Sequence, residues 1–187
     1  MTIEIITPET NEAVLRGKNQ PVKNHKDGEL QSLIDDMIAA MREKEGVGLA
    51  APQVAKDLQL AVVETLGEYD EDDELIEGSR KLYVITNPQI VWESRKTVTG
   101  IEGCLSLPGY LGEVERPFAV TVKCQDRFGR RKRYRLKGWD ARIFQHEIDH
   151  LNGVLYTDKL TSEDRFWTEE EYEEYRKAQE AESEQEE

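Results

Sequence analysis

Residues 145–153 read QHEIDHLNG. At about 100° per residue of an α-helix, His146 and His150 stand about 40° apart on one face, and Glu147 about 60° to the side of His150. Both imidazoles therefore reach one ion, while Glu147 stands beside that ion without binding it, close to a water that it can deprotonate. Ala141, Phe144, Ile148 and Leu151 form a separate apolar stripe that buries the helix and holds the histidines rigid. The helix starts near Trp139 and is capped by Asn152 and Gly153. The chain has three histidines, and two fall in this spacing around a glutamate. A chance pair of helical histidines is the weaker reading.

A metal held by two histidines needs a third protein ligand and one open position. His25, the remaining histidine, lies in the polar turn PVKNHKDGE and reads as an ordinary exposed side chain. A downstream glutamate would make a thermolysin-like site, but the tail glutamates come in runs such as EEEYEE that resemble a solvated helix face. A thiolate is the better candidate. Cys104 sits in GIEGCLSLPGY, where glycines let the backbone approach other groups closely. Cys124 falls in VTVKCQD, an alternating strand, and reads as a packed thiol. No secretion signal is apparent, so a disulfide between the two is discounted.

The segment EGVGLAAPQV, 45–54, fails as a phosphate cradle, because neither a preceding strand nor a lysine-serine ending accompanies its glycines. A helix-terminating turn explains part of it. The run of Gly46, Gly48, Ala50 and Ala51 also lets backbone come close to an extended peptide, and the Gln53 amide can donate to a developing oxyanion.

The rest of the chain supplies an α+β frame. Leu30, Leu33, Ile34, Met37, Ile38 and Met41 follow helical periodicity, with Asp27 as N-cap and Gly46 as the C-terminal stop. The stretch ITPETNEAVLRGKNQPV, with Pro8 and Pro21, reads as an extended arm with short turns. LQLAVVETL (58–66) and KLYVITNPQIVW (81–92) are strands, and PFAVTVKCQDRFGRRKRYRLKG reads as two strands joined by a turn at Asp126–Gly129. Thr168 with Glu171 forms a capping box, and Trp167 with Tyr172 a hydrophobic staple, for a helix from about Glu169 that frays within AESEQEE. The expected fold is mainly antiparallel sheet packed around a central metal-binding helix, flanked by an N-terminal and a C-terminal helix. Residues 1–165 would form the catalytic domain and 166–187 an acidic helix and tail.

A chain of 187 residues with 37% hydrophobic content suits one soluble domain. No apolar run is long enough to cross a bilayer, and MTIEIITPET resembles neither a secretory nor a transit segment, so the expected location is cytoplasmic. The net charge of -14 is uneven: residues 163–187 hold twelve acids against Arg165, Arg176 and Lys177. GEYDEDDELIEGSR, 67–80, carries seven acids and one base and reads as a solvated loop. The run Arg127–Lys137 contains seven cations; it reads as an exposed hairpin of alternating charge rather than an RNA contact.

Together, GVGLAAPQ, EGCLS and QHEIDH, in this order and spacing, resemble the three signature motifs of the peptide deformylases. The similarity runs from about Ile6 to Leu160 and includes LRGKNQPV, TNPQI and VERP. It implies a metal-dependent hydrolase that removes the N-terminal formyl group from formyl-methionine of newly made polypeptides and releases formate. By position, it implies Cys104, His146 and His150 as ligands of Fe2+, with Zn2+, Ni2+ or Co2+ able to take its place. Glu147 would be general base and later proton donor to the departing amine, and Gln53 with the Leu105 N–H the oxyanion donors. Backbone groups of Val47, Gly48 and Gly103 would hold the peptide as an added strand, and Ile143 would wall the methionine pocket. The implied partner is the N-formylmethionyl nascent chain, with neither membrane nor DNA. Some members dock on the ribosome through a basic C-terminal helix; here that helix is acidic and would be repelled by rRNA phosphates, so any ribosome contact would lie elsewhere.

Overall fold

The computed structural model describes residues 3–67, 76 and 78–183, and the backbone alone at 182 and 183. Most of the acidic loop and the last four residues therefore lie outside the described residues. Residues Pro8–Leu15 form a helix, α1, broken at Asn11 (φ -161°, ψ 69°). The sequence suggests an extended arm with short turns here, yet Pro8 fits the first helical turn, where its missing N–H has no partner to lose. The Thr10 hydroxyl accepts from the Thr7 N–H at 2.8 Å, and the fully buried Leu15 anchors the end.

Helix α2, Gly28–Glu43, starts as expected. Asp27 Oδ1 accepts from the N–H groups of Glu29 (2.8 Å) and Leu30 (3.4 Å), satisfying donors that the first turn leaves free. It ends differently. The left-handed residue is Glu45 (φ 55°), and the Gly46 N–H closes back on the Met41 carbonyl at 2.8 Å. Gly46 instead lies close under Leu105: a Cβ there would stand 2.8 Å from Leu105 Cδ1, the end of a side chain that would have to shift.

Among the described residues, eight strands make two antiparallel sheets. Strands β1 (Gly48–Ala50), β2 (Leu60–Glu64), β3 (Leu82–Glu93), β6 (Ala119–Gln125) and β7 (Arg131–Lys137) form one sheet in the order β1-β2-β3-β6-β7. The turn Asp126–Gly129 joins its last hairpin as expected, with the Gly129 N–H donating to the Asp126 carbonyl at 2.9 Å. Strands β4 (Thr97–Cys104), β5 (Leu107–Pro117) and β8 (Phe166–Thr168) form the other. This second sheet escaped the sequence reading because TVTGIEGC and LPGYLGEVERP carry glycines and charges where a strand pattern calls for alternating apolar residues.

The two faces of the five-stranded sheet are covered unequally, as the period-two alternation of strands dictates. On one face, Ala61, Val63, Ile85, Val120, Val122 and Leu136 pack against Ala141, Phe144, Ile148 and Leu151 of α3, Gly138–Leu151. That apolar stripe is the one expected. On the other, Leu60, Val62 and Leu49 pack against Leu30, Ile34, Met37 and Met41 of α2. The three-stranded sheet closes on α3 from a different side. Helix α4, Glu169–Ser183, follows β8 directly. Its Glu171 carboxylate accepts from the Thr168 N–H (2.8 Å), its N–H donates to Thr168 Oγ1 (3.2 Å), and the Trp167 and Tyr172 rings lie 5.5 Å apart. The result is the α+β arrangement around one central helix. Among the described residues, no helix is long and apolar enough to cross a membrane.

Candidate active site

Helix α3 sends His146 and His150 toward the end of β4, where Cys104 is the last residue. The donor atoms of the three residues all lie within 4.8 Å of one another. His150 Nε2 is 3.2 Å from Cys104 Sγ and 3.2 Å from His146 Nε2. Two nitrogens bound to one tetrahedral ion at 2.0–2.1 Å would stand about 3.3 Å apart, so the spacing suits a shared cation. The tautomer suits it as well. His146 Nδ1 faces Glu102 Oε2 at 2.9 Å, and a hydrogen donated there leaves the Nε2 lone pair directed at the cluster. Burial, then the charge of His146, holds the His150 pKa well below the ordinary imidazole range. At His146, burial is outweighed by the hydrogen bonds to Cys104 and Glu102, which raise its pKa, so His146 gives up a proton to bind a metal. A neutral imidazole is the form that binds metal.

Behind Cys104, His146 and His150 lies a buried charge network that the sequence patterns do not reveal. Glu102 accepts from Arg116 Nε (2.5 Å) and Nη2 (2.8 Å), and from Arg142 Nη1 (2.7 Å). Arg116 Nη1 also donates to Asp149 Oδ2 at 2.7 Å, and Lys159 Nζ reaches Asp149 Oδ1 at 2.9 Å. Glu102 and Arg116 are 5% and 2% exposed, a depth at which unpaired charges are strongly destabilising. Burial pushes the Glu102 pKa up, but the hydrogen bonds from Arg116 and His146 outweigh it and hold the carboxyl well below its usual range. A signal was present: Arg142, His146 and Asp149 recur at i, i+4 and i+7 on one face of α3. Without a partner for Arg142 in the local sequence, that face could not be interpreted.

Glu147 is 3% exposed, and its Oε2 has no hydrogen-bond partner among the described residues. Burial pushes its pKa up to about 7 despite the opposing pull of His146, the range in which a carboxylate both takes and returns a proton near neutrality. Gly48 is what admits it, since a Cβ at position 48 would overlap the Glu147 carboxylate. Gln53 is oriented from its other end: Oε1 accepts from the Ala50 N–H at 2.8 Å, which turns Nε2 toward Cys104 Sγ (3.4 Å) and Ser106 Oγ (3.2 Å).

These groups open into a cleft of about 850 Å³. Val47, Gly48, Gln53, Gly103, Cys104, Leu105, Ile143, His146 and Glu147 all line it, while His150, 1% exposed, lies beneath. The strands β1 and β4, each at the edge of its sheet, both contribute to its lining, through Gly48 and through Gly103 and Cys104. The rejected ligand candidates fall elsewhere. His25 is half-buried rather than exposed, with Nε2 2.8 Å from Thr86 Oγ1. Cys124 is buried in β6, its thiol pushed up to about 12 chiefly by burial, and both cysteines are free.

A single cysteine and an HExxH helix converging at the floor of a cleft, with a buried carboxylate beside them, fit the donor set of a mononuclear metallohydrolase. The chain belongs to the polypeptide deformylase family, whose profile matches residues 4–166. Peptide deformylase 2 of Nostoc sp. is 43% identical over 162 residues, covering 86% of this chain and 88% of that one. A chloroplastic peptide deformylase 1B from Solanum lycopersicum is 42% identical over 150 residues, which are 80% of this chain and 50% of that longer one. The crystal structure of peptide deformylase from Thermotoga maritima superimposes with a TM-score of 0.74 at 34% identity, over 87% of this chain and 99% of that one.

Proposed function

We propose that this cleft removes the formyl group from the N-terminal formyl-methionine of newly synthesised polypeptides, releasing formate. The family is metal-dependent, and the convergence of Cys104, His146 and His150 beside the buried Glu147 is the observation that carries the reading. In this reading residues 1–165 are the catalytic domain and 166–187 an acidic appendage, and the enzyme works in the cytoplasm.

The peptide enters as an extended segment between β1 and β4. Backbone groups of Val47 and Gly48 on one side and Gly103 on the other hold it by strand addition, and its methionine side chain rests against Ile143. Cys104, His146 and His150 hold the metal, Fe2+ in our proposal, with Zn2+, Ni2+ or Co2+ as replacements. When bound, a divalent ion there supplies Lewis acidity and lowers the pKa of a water. Glu147 takes the proton from the water that attacks the formyl carbon. The Gln53 amide and the Leu105 N–H donate to the formyl oxygen as negative charge gathers on it. Glu147 then returns its proton to the departing amine as the C–N bond breaks.

The test is anaerobic purification, metal analysis, and measurement of formate released from a formyl-methionyl tripeptide. Formate release that requires the metal is expected. Its absence with each of the four metals would overturn the assignment.

A further inference from the structure

The Arg127–Lys137 run takes on a different meaning once the sheet is built. Helix α2 covers the second face of the five-stranded sheet over β1, β2 and Val84 of β3, and its Gln31 and Asp35 hold Arg127 in the β6–β7 turn, while the cationic side chains of β6 and β7 on that face stay exposed. Strand alternation and the register of β6 against β7 place Lys123, Arg131, Arg133, Arg135 and Lys137 together on this face, with Lys123 opposite Arg133. All five are exposed, and none makes an ion pair among the described residues. Lys132, on the opposite face, pairs with Asp126 at 3.6 Å, and Arg127, in the turn, with Asp35 at 2.8 Å. The three adjacent strands β3, β6 and β7 contain a single acid, Glu93, at the last position of β3. In a chain of net charge -14, such a patch is not average surface.

Aromatic rings flank the cations. Trp92, 54% exposed, is in register with Thr121, which is in register with Arg135. Phe128 projects from the hairpin turn at 62% exposure, with the guanidinium groups of Arg127 and Arg130 5.8 and 5.4 Å from its ring centroid. Cations at every second residue of a strand recur about every 6.8 Å, a line that an extended phosphate backbone can follow while bases stack on the flanking rings.

We propose that this face binds single-stranded RNA. A lipid surface fits less well, because the two rings stand at separate points of a charged plane and form no continuous apolar patch that would enter a bilayer. The face is built from strands other than β1 and β4, which border the cleft, so RNA and peptide bind independently. The inference does not rest on the deformylation reading.

The test is fluorescence anisotropy with a labelled 20-nucleotide single-stranded RNA and the full-length metal-loaded protein, titrated over a range of salt. Binding of roughly micromolar strength is expected, with a log–log salt slope no steeper than about -3.5 for five phosphate contacts. The triple variant Arg131→Gln/Arg133→Gln/Arg135→Gln should lose most of this affinity and flatten the slope by about 2. Trp92→Ala should weaken binding roughly fivefold or more. Both should retain the circular dichroism spectrum and formate release of the parent. Absence of salt-dependent RNA binding would overturn the proposal. So would unchanged binding by the triple variant, or stronger binding to phosphatidylserine vesicles than to RNA. Formate release is read separately, so failure of either proposal leaves the other standing.

Discussion

The charge network under His146 makes a quantitative prediction through Glu102→Gln. Each Glu102 oxygen accepts two hydrogen bonds, Oε1 from Arg116 and Arg142, and Oε2 from Arg116 and His146. Whichever way the new amide is turned, its NH2 meets two donors where an acceptor stood. Breaking a buried ion pair from one side costs about 3–5 kcal/mol. The lower end applies here. Arg116 keeps Asp149, and Arg142 keeps the carbonyls of Val114 and Val98 at 2.9 and 2.6 Å. A loss of about 3 kcal/mol in a chain of this size lowers Tm by roughly 6–12 °C. His146 also loses its charged partner in either orientation, and its hydrogen-bond acceptor altogether when the amide NH2 takes the Oε2 position, which should weaken metal binding roughly 10–100-fold. The two effects separate experimentally. Urea unfolding of metal-free protein reports the first, and competition with a chelator during metal titration reports the second. Metal-free Glu102→Gln protein that unfolds within about 1 kcal/mol of the parent would refute the energetic reasoning.

Other outcomes follow from the same geometry. Glu147→Gln should keep the metal and lower kcat by roughly 10²–10⁴-fold, as formate release with parallel metal analysis will show. Gly48→Ala should suppress activity by displacing the Glu147 carboxylate, with little change in peptide affinity measured by calorimetry. Asp27→Ala should cost about 1 kcal/mol by leaving the first turn of α2 uncapped, readable from urea denaturation. The Glu102 pKa is depressed in the folded state, so its stabilisation is complete above the unfolded value of about 4.3 and is lost as pH falls toward the folded value. The stability gap between the parent and Glu102→Gln should therefore narrow below about pH 4.

What the sequence disclosed was governed by range. The α3 stripe, the Asp27 cap and the Thr168–Glu171 box each depend on residues within a few turns, and each appears in the structure where the pattern put it. The β4–β5 hairpin was lost because its glycines serve neighbours far away in sequence. Gly100, for instance, lacks a side chain where the Arg142 guanidinium passes, 3.0 Å from the place a Cβ would take. Gly46 misled in the same manner, its spacing against Leu105 mistaken for a need for left-handed backbone. At the site, the donor residues and the base stood out by spacing and by resemblance. The Glu102 network did not, because a buried carboxylate declares its role only when Arg116 of β5 and Arg142 of α3 are brought to it.

The donor triangle straddles a seam. Cys104 travels with the three-stranded sheet, whereas the histidines travel with α3 and the five-stranded sheet, and Glu102 ties the same boundary to Arg142. Metal-binding competence thus depends on two separately built halves staying docked, and it should vanish on any sub-global opening that peels β4–β5 from α3, even while that helix keeps its own hydrogen bonds. Amide exchange in β4 then becomes a clock for the loss of the site, and an ion held by residues of both halves would slow that clock in proportion to its affinity for the closed form and its free concentration.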